Sequence, residues 1–380
     1  MNQSHLNYSD KINLGAFYTP NKYVEIVWNL IKPFLTTKTI VLDSSCGYGN
    51  FFLSNTNCRI IANDFDKVAV EKTKSNFPNI KVFNKNALFN VSRNEFGIGE
   101  NDLLFIIGNP PYNDTTSIIR NEIKQNIICI DNDIKTRDYG MSFLLSYAKL
   151  NADYICVLHP LSYLIKKSNF NLLKKFSKNY KLIDGIIIDS SSFKETSKGI
   201  SFPIIIALYV KHKDGMNYEN IKNFNFKTID SKNFSLNDFD FITNYINKYP
   251  LKNKIPNKDD ILFWTMRDIN ALKRNKTFIK DFGDNAIIID KSKLDYYIYV
   301  DVFKHFSDFI PYYFGNLDVF INNNEFQKYK KFFLHECLSR NHFIKKYFDI
   351  DFNISIIESR KKIQEYFKIL INNHYVYKRN

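Results

Sequence analysis

The chain has 380 residues, room for two domains of ordinary size and a sizeable core. Its 44% apolar and 24% charged content excludes a disordered chain, and its longest apolar run, 202–210, is far too short to span a membrane. Lys and Arg number 53 against 39 Asp and Glu, a formal net charge of +14, so a polyanionic partner such as a nucleic acid is expected.

The five cysteines, Cys46, Cys58, Cys129, Cys156 and Cys337, are odd in number and scattered. No Cys or His pair has metal-ligand spacing, so reduced thiols and no metal are expected. Residues 1–10 lack the charged-then-apolar pattern of a secretory signal, and a cytoplasmic location follows as the default expectation.

In chain order, Lys22–Leu35 reads as a helix, Thr39–Asp43 and Arg59–Asp64 as strands, and Lys67–Phe77 as a second helix. Strands at Ile80–Phe83 and Leu103–Gly108 follow. A helix over Ser142–Ala152, a strand at Tyr154–Leu158 and a helix over Phe170–Lys178 come next. Leu182–Ile188 and Pro203–Val210 complete the set; no long helix separates them, so an antiparallel pair is expected. The strand runs are almost continuously apolar, as strands covered on both faces are. Repeated strand then helix predicts an α/β fold with a doubly wound, mostly parallel sheet.

After residue 210 the sequence turns polar and Asn/Lys-rich, and 216–240 reads as a linker or irregular segment. Asp259–Arg274 and Glu358–Ile371 read as amphipathic helices. Between them lies aromatic-rich sequence that includes Tyr296, Tyr297, Tyr299, Tyr312, Tyr313 and Phe314. The expected organisation is a first domain over 1–215 and a mixed, aromatic-rich second domain over 241–380.

The chemistry concentrates at strand ends, where open α/β sheets bind ligands. Asn109-Pro110-Pro111-Tyr112 follows the strand ending at Gly108. Two prolines stiffen the backbone and leave carbonyls free, a carboxamide sits at a set angle, and an aromatic ring stands beside them. Such a loop suits an amino group on a planar ring. The first strand ends in Asp43-Ser44-Ser45-Cys46-Gly47-Tyr48-Gly49, a glycine loop with an acid suited to a cationic amine. Asp64, about 20 residues on, is placed for ribose hydroxyls. Phe52 stands where a dinucleotide motif has its third glycine, and little cradles phosphate. The site therefore fits S-adenosylmethionine better than a nicotinamide cofactor.

This series resembles the DNA amino-methyltransferases, most closely the γ class that makes N6-methyladenine. The order matches over roughly 15–210: Gly15-Ala16-Phe17-Tyr18-Thr19-Pro20, the glycine loop, Asp64, Asn-Pro-Pro-Tyr, then a basic C-terminal region. The resemblance implies a Rossmann-like sheet of the seven-stranded methyltransferase type, followed by a target-recognition domain. It implies catalysis by Asn109, Pro110, Pro111 and Tyr112. Phe17, Tyr18 and Thr19 would serve the methionine carboxylate. Asp43, Ser45, Cys46, Gly47 and Gly49 would serve its amino end, and Asp64 with Phe65 the ribose and adenine. Asn86 with Ala87 would take the adenine amino group, although the family usually has Asp at the position of Asn86. Tyr139-Gly140-Met141-Ser142-Phe143 resembles the segment beside the adenine, with Phe143 the contact. Phe193 would sandwich the target base with Tyr112, and Phe202 is the alternative.

Cys46 needs no covalent role, since amino methylation proceeds without one, and His159 before Pro160 reads as structural. Lysines 166, 167, 174, 175 and 178 are candidate phosphate contacts. So are Lys252, Lys254, Arg267, Lys273, Arg274 and Arg360-Lys361-Lys362. The expected partners are double-stranded DNA and a cognate restriction endonuclease acting on the same site, with the chain a monomer. Two alternatives stay open: methylation of protein glutamine or RNA amino groups, and a non-catalytic DNA-binding specificity subunit.

Overall fold

The computed structural model describes residues 19–52, 57–112, 129–193, 201–251 and 255–377. Of the residues named above, Gly15, Ala16, Phe17, Tyr18, Lys252 and Lys254 lie outside them. The chain divides into two compact units between Phe234 and Ser235.

The first unit is built on one nine-stranded sheet of order β3-β2-β1-β4-β5-β7-β6-β8-β9. Its strands are β1 (Ile40–Asp43), β2 (Arg59–Asp64), β3 (Lys81–Asn84), β4 (Leu104–Gly108), β5 (Tyr154–Pro160), β6 (Tyr180–Asp189), β7 (Pro203–Lys211), β8 (Phe226–Thr228) and β9 (Asn233–Phe234). β1 to β5 pair in parallel. β7 runs antiparallel between β5 and β6, which is the antiparallel pairing expected of the last two apolar runs. The result is an α/β, mostly parallel sheet, with one antiparallel strand inserted into the dinucleotide-binding order.

The strand residues explain the layering. Val41, Phe105, Ile107, Cys156 and Leu158 share one buried cluster with Tyr23, Val24, Val27 and Ile31 of helix α1 (Asn21–Ile31). Leu42, Ile106 and Val157 alternate with them, point to the opposite face and are equally buried. Burying one such side chain contributes about 1.5–3 kcal/mol, so both faces need a helical cover. Asp66 caps α2 (Lys67–Asn76) by accepting from the Val68 N–H at 2.9 Å. Asp138 caps α3 (Tyr139–Lys149) through the Gly140 and Met141 N–H groups. Three short helices, α4 (Ser162–Ile165), α5 (Lys167–Leu172) and α6 (Lys174–Ser177), lead into β6.

The 216–240 stretch is not a linker. It forms helix α7 (Tyr218–Asn223) and the strands β8 and β9, which extend the sheet beyond β6. Phe226 and Phe234 stack with ring centroids 5.5 Å apart and are buried, so two aromatic side chains hold a segment whose composition is otherwise polar.

In the second unit, β10 (Asp240–Phe241) pairs with β14 (Phe320–Ile321). β11 (Leu262–Trp264) pairs with β12 (Phe278–Ile279) and β13 (Ala286–Ile288). The expected helix over Asp259–Arg274 is therefore corrected to strand β11 and a short helix, α8 (Ile269–Arg274), that starts where Asp268 accepts from the Ala271 N–H at 2.7 Å. Cross-strand pairing of Leu262, Phe263 and Trp264 overrides the helical spacing of the apolar residues. Helices α9 (Leu294–Phe306), α10 (Asn323–Arg340) and α11 (Ile356–Ile371) pack through Tyr299, Phe303, Phe326, Phe333, Tyr366 and Phe367.

Candidate functional site

β1 and β4 are neighbours, and the chain leaves them toward opposite ends of the sheet, through β2 and β5. In open α/β sheets this switch point is where ligands bind, beyond the strand ends. The loop after β1 is tied down on every side. The Gly47 N–H donates to Asp64 Oδ2 at 2.8 Å, Thr73 Oγ1 donates to the Gly47 carbonyl at 2.7 Å, and the Cys46 N–H donates to the Asn63 carbonyl at 2.9 Å. Gly47 and Gly49 both have positive φ, 53° and 80°. Burial and the two nearby carboxylates push the Cys46 thiol up, so it stays neutral and suits a filler rather than a nucleophile.

Asp43 ends β1 and is 1% exposed. Its Oδ1 accepts from the Ser45 N–H at 3.1 Å, while its Oδ2 and the Ser45 hydroxyl are buried without partners among the described residues. Burial pushes the Asp43 carboxyl from 3.8 up to about 8, the Ser45 N–H opposing and the Asp64 charge adding to it. Asp64 rises less, to about 6, because N–H groups of Asp66 and Gly47 offset its burial.

The Asn-Pro-Pro-Tyr loop leaves β4 directly beside this acid. Gly108 has φ 139°, and a Cβ there would lie 2.7 Å from Asp43 Oδ1, so only glycine lets the strand end so close to the carboxylate. The Asn109 Nδ2 donates to Thr19 Oγ1 at 3.2 Å, and Asn109 Oδ1 is buried without a partner among the described residues. Thr19, from the N-terminal motif, is itself buried. Tyr112 is half-buried and packs against the core on the α1 side of the sheet. Its hydroxyl is buried, and burial holds its phenol well above the usual range, with the Asn109 side chain opposing the shift.

Beyond β2 and β3, Asn86 is held in place. Its Oδ1 accepts from the Leu88 N–H at 3.0 Å and its Nδ2 donates to the Cys129 carbonyl at 2.7 Å. An Asp could not make that second bond, which is what the departure from the family pattern contributes here. Ala87 is buried, whereas Phe65 is 61% exposed at the end of β2. Phe143 is buried in α3, one turn before Tyr147, whose hydroxyl accepts from Ser44 Oγ at 3.4 Å next to Asp43.

Phe193 is a different matter. It is 1% exposed and stacks on Tyr23, ring centroids 5.7 Å apart, so it presents no free face to a base and belongs to the core. Phe202, half-buried just before β7 and hence beside the end of β5, is the better placed of the two. Among the cations, Arg360 is committed to the buried Glu336, Lys362 to Glu365, and Lys175 to the Asp133 carbonyl. Lys174, Lys178, Arg267, Arg274 and Lys361 are exposed, and burial lowers the pKa of Lys273.

Asn63 carries no ligand signal in the sequence, yet it is fully buried and staples three strand ends. Its Nδ2 donates to the carbonyls of Ser44 and Lys85, and its Oδ1 accepts from the Lys85 N–H. His159 is structural, as read from the sequence. Its Nδ1 faces the Pro160 carbonyl at 3.0 Å and so carries the proton, leaving Nε2 to accept from the Tyr209 hydroxyl at 2.7 Å. Burial lowers it to about 4 and keeps it neutral.

No family model matches this chain, and no curated protein matches it. Among solved structures, it is similar to a modification subunit assigned to a type I restriction enzyme from Vibrio vulnificus YJ016. That match has 16% identity over 55% of this chain and 51% of that one, with a TM-score of 0.39. A protein assigned as a class I S-adenosylmethionine-dependent methyltransferase from Listeria monocytogenes matches at 13% identity over 57% and 72% of the two chains, TM-score 0.39. A dimethyladenosine transferase from Plasmodium falciparum matches at 15% identity over 52% and 63%, TM-score 0.35. The chain thus spans about half the length of the restriction-enzyme subunit.

Proposed function

We propose that this chain is a site-specific DNA adenine N6-methyltransferase that uses S-adenosylmethionine. The observation that carries the reading is the set of buried acceptors without partners among the described residues at one sheet edge: Asp43 Oδ2 at the end of β1, and Asn109 Oδ1 on the loop after β4. An unpaired buried acceptor costs about 1–3 kcal/mol, which a bound donor offsets. Asp43 suits the ammonium of an amino acid, Asp64 has acceptor capacity left for ribose, and Phe65 offers an apolar face for adenine.

The cofactor would supply an activated methyl group on a sulfonium. The protein's part is to present the amine. Asn109 Oδ1, oriented by Thr19, accepts one amino N–H and the Pro110 carbonyl accepts the other. Together they draw the nitrogen toward tetrahedral geometry and free its lone pair. The adenine must first leave the duplex stack, at a cost of a few kcal/mol. Stacking on Tyr112, with Phe202 the nearer candidate for the opposite wall, returns on the order of 1–3 kcal/mol per contact. Positioning and fixed dipoles then account for the rate. The second unit, with exposed Arg267, Arg274 and Lys361, would hold the duplex as a monomer, beside a restriction endonuclease of the same specificity.

Single-molecule sequencing of DNA from a methylation-free host expressing the chain tests this. N6-methyladenine at one recurrent sequence is the expected result. Unmodified DNA, with labelled methyl groups instead on RNA or on protein glutamine, would overturn it.

A further inference from the structure

We infer that Tyr163, bonded to Asp138 and seated behind Gly140, is a positioning residue that fixes Tyr112 of the amine clamp. The inference rests on the methyltransferase reading, because it assigns Tyr112 a part in base binding, but the geometry behind it is independent of that reading.

Three side chains converge where residue 140 has none. A Cβ on Gly140 would lie 2.6 Å from the Tyr163 hydroxyl, 2.8 Å from Tyr112 Cβ and 3.3 Å from Asp138 Oδ1. Gly140 is in the first turn of α3, and Asp138 Oδ1 accepts from its N–H at 2.9 Å. The Tyr163 hydroxyl donates to that same oxygen. One atom therefore caps α3 and anchors Tyr163, whose hydroxyl and Tyr112 Cβ both border the space over Gly140.

The anchor is rigid. Tyr163 is 2% exposed and lies flat against His159, ring centroids 5.3 Å apart and planes 8° apart. His159 is in turn locked between the Pro160 carbonyl and the Tyr209 hydroxyl. The polar contact of the Tyr112 hydroxyl is with Asn109 of its own loop, so it moves with that loop. Its position is set by what touches it, and the contact at its Cβ is the gap over Gly140. A methyl group there must push Tyr112 away from α3, and the Asn109-Pro110 carbonyls three and two residues earlier move with it. Asp43 and the glycine loop are not part of this contact.

The test uses the full chain with Gly140→Ala, Tyr163→Phe and the double variant. Methyl transfer to unmethylated plasmid DNA is measured, together with S-adenosylhomocysteine binding by calorimetry. Gly140→Ala should slow transfer by about tenfold to a hundredfold, as expected of a misplaced reacting group, with product binding unchanged. Adding Tyr163→Phe removes the atom at 2.6 Å, so the double variant should recover about threefold or more over Gly140→Ala. The inference fails if Gly140→Ala is fully active, if transfer and product binding fall in step, or if the double variant recovers nothing. The Tyr112 ring resonance, identified by its loss in Tyr112→Phe, should shift in Gly140→Ala whatever the substrate; an unmoved resonance overturns the inference. Wild-type protein that never methylates DNA overturns the functional reading instead.

Discussion

The two units bury polar groups in opposite ways. At one sheet edge of the first, Asp43 Oδ2, Ser45 Oγ and Asn109 Oδ1 are buried with no hydrogen-bond partner among the described residues. In the second, the buried carboxylates are paired. Glu336, with no exposed side-chain surface, meets both Arg340 and Arg360. Asp301, 1% exposed, accepts from Thr277 at 2.5 Å and Asn341 at 3.0 Å. Native proteins satisfy nearly all buried polar groups, so a cluster of unsatisfied ones marks a place shaped for something else. The second unit's Asn316 Oδ1 and Arg340 Nη1 also lack partners among the described residues, but they lie on separate elements. The paired arrangement serves stability, and the unpaired one suits the ligand recognition proposed above.

Substitutions should separate along the same line. Asn109→Ala is expected to slow methyl transfer by about a hundredfold to a thousandfold, the cost of deleting one preorganised polar group. Thermal unfolding should change little, because an unpaired acceptor is lost together with the bond to Thr19. A large fall in melting temperature would break the comparison. Glu336→Ala should do the reverse, costing about 3 kcal/mol of stability by leaving two guanidinium groups without their buried partner. Product binding, followed by calorimetry on the folded protein, should be untouched.

Asp43→Asn should weaken S-adenosylhomocysteine binding by about tenfold to a hundredfold, the worth of one hydrogen bond to a charged group. Its proton gives a sharper test. With its carboxyl raised from 3.8 to about 8, Asp43 is protonated at pH 7 without a ligand. The stability tied to it is whole at low pH and lost as pH rises through about 8. A bound ammonium favours the ionised form, so binding near pH 7 should release a proton. Calorimetry in buffers of different ionisation enthalpy should detect that release in the wild type and not in Asp43→Asn. The smallest effect is expected of Asn86→Asp, which keeps the acceptor for adenine and loses only the bond to Cys129. Product affinity should change by less than about threefold, in line with one net hydrogen bond of about 0.5 kcal/mol at the low end.

Much of this was legible in the sequence, for a physical reason. Strands covered on both faces, such as Leu104–Gly108, must be apolar throughout, and Asn109 to Tyr112 breaks that run too abruptly to be packing. Edge strands carry no such mark. β8 buries Phe226 and Thr228 but exposes Lys227 between them, so three residues in a polar stretch left no period to read. β11 was hidden because Ile261, Leu262, Thr265 and Ile269 also fit a helix. Asn63 and Tyr163 were silent for another reason: they act on partners 22 and 25 residues away, and nothing local distinguishes them. Phe193 shows the opposite error, an aromatic whose place in a motif suggested exposure while Tyr23 had already covered it.

The hydrogen bond from Asn109 to Thr19 crosses 90 residues of chain. A carboxamide is nearly symmetric in shape, and only its surroundings decide which end looks inward. A fragment beginning at residue 21 would retain every strand and the whole proline loop, yet nothing would stop the amide from turning round and offering a donor to an amine that needs an acceptor. Such a fragment should bind nucleoside and fail at chemistry, and a threonine hydroxyl far upstream would be the reason.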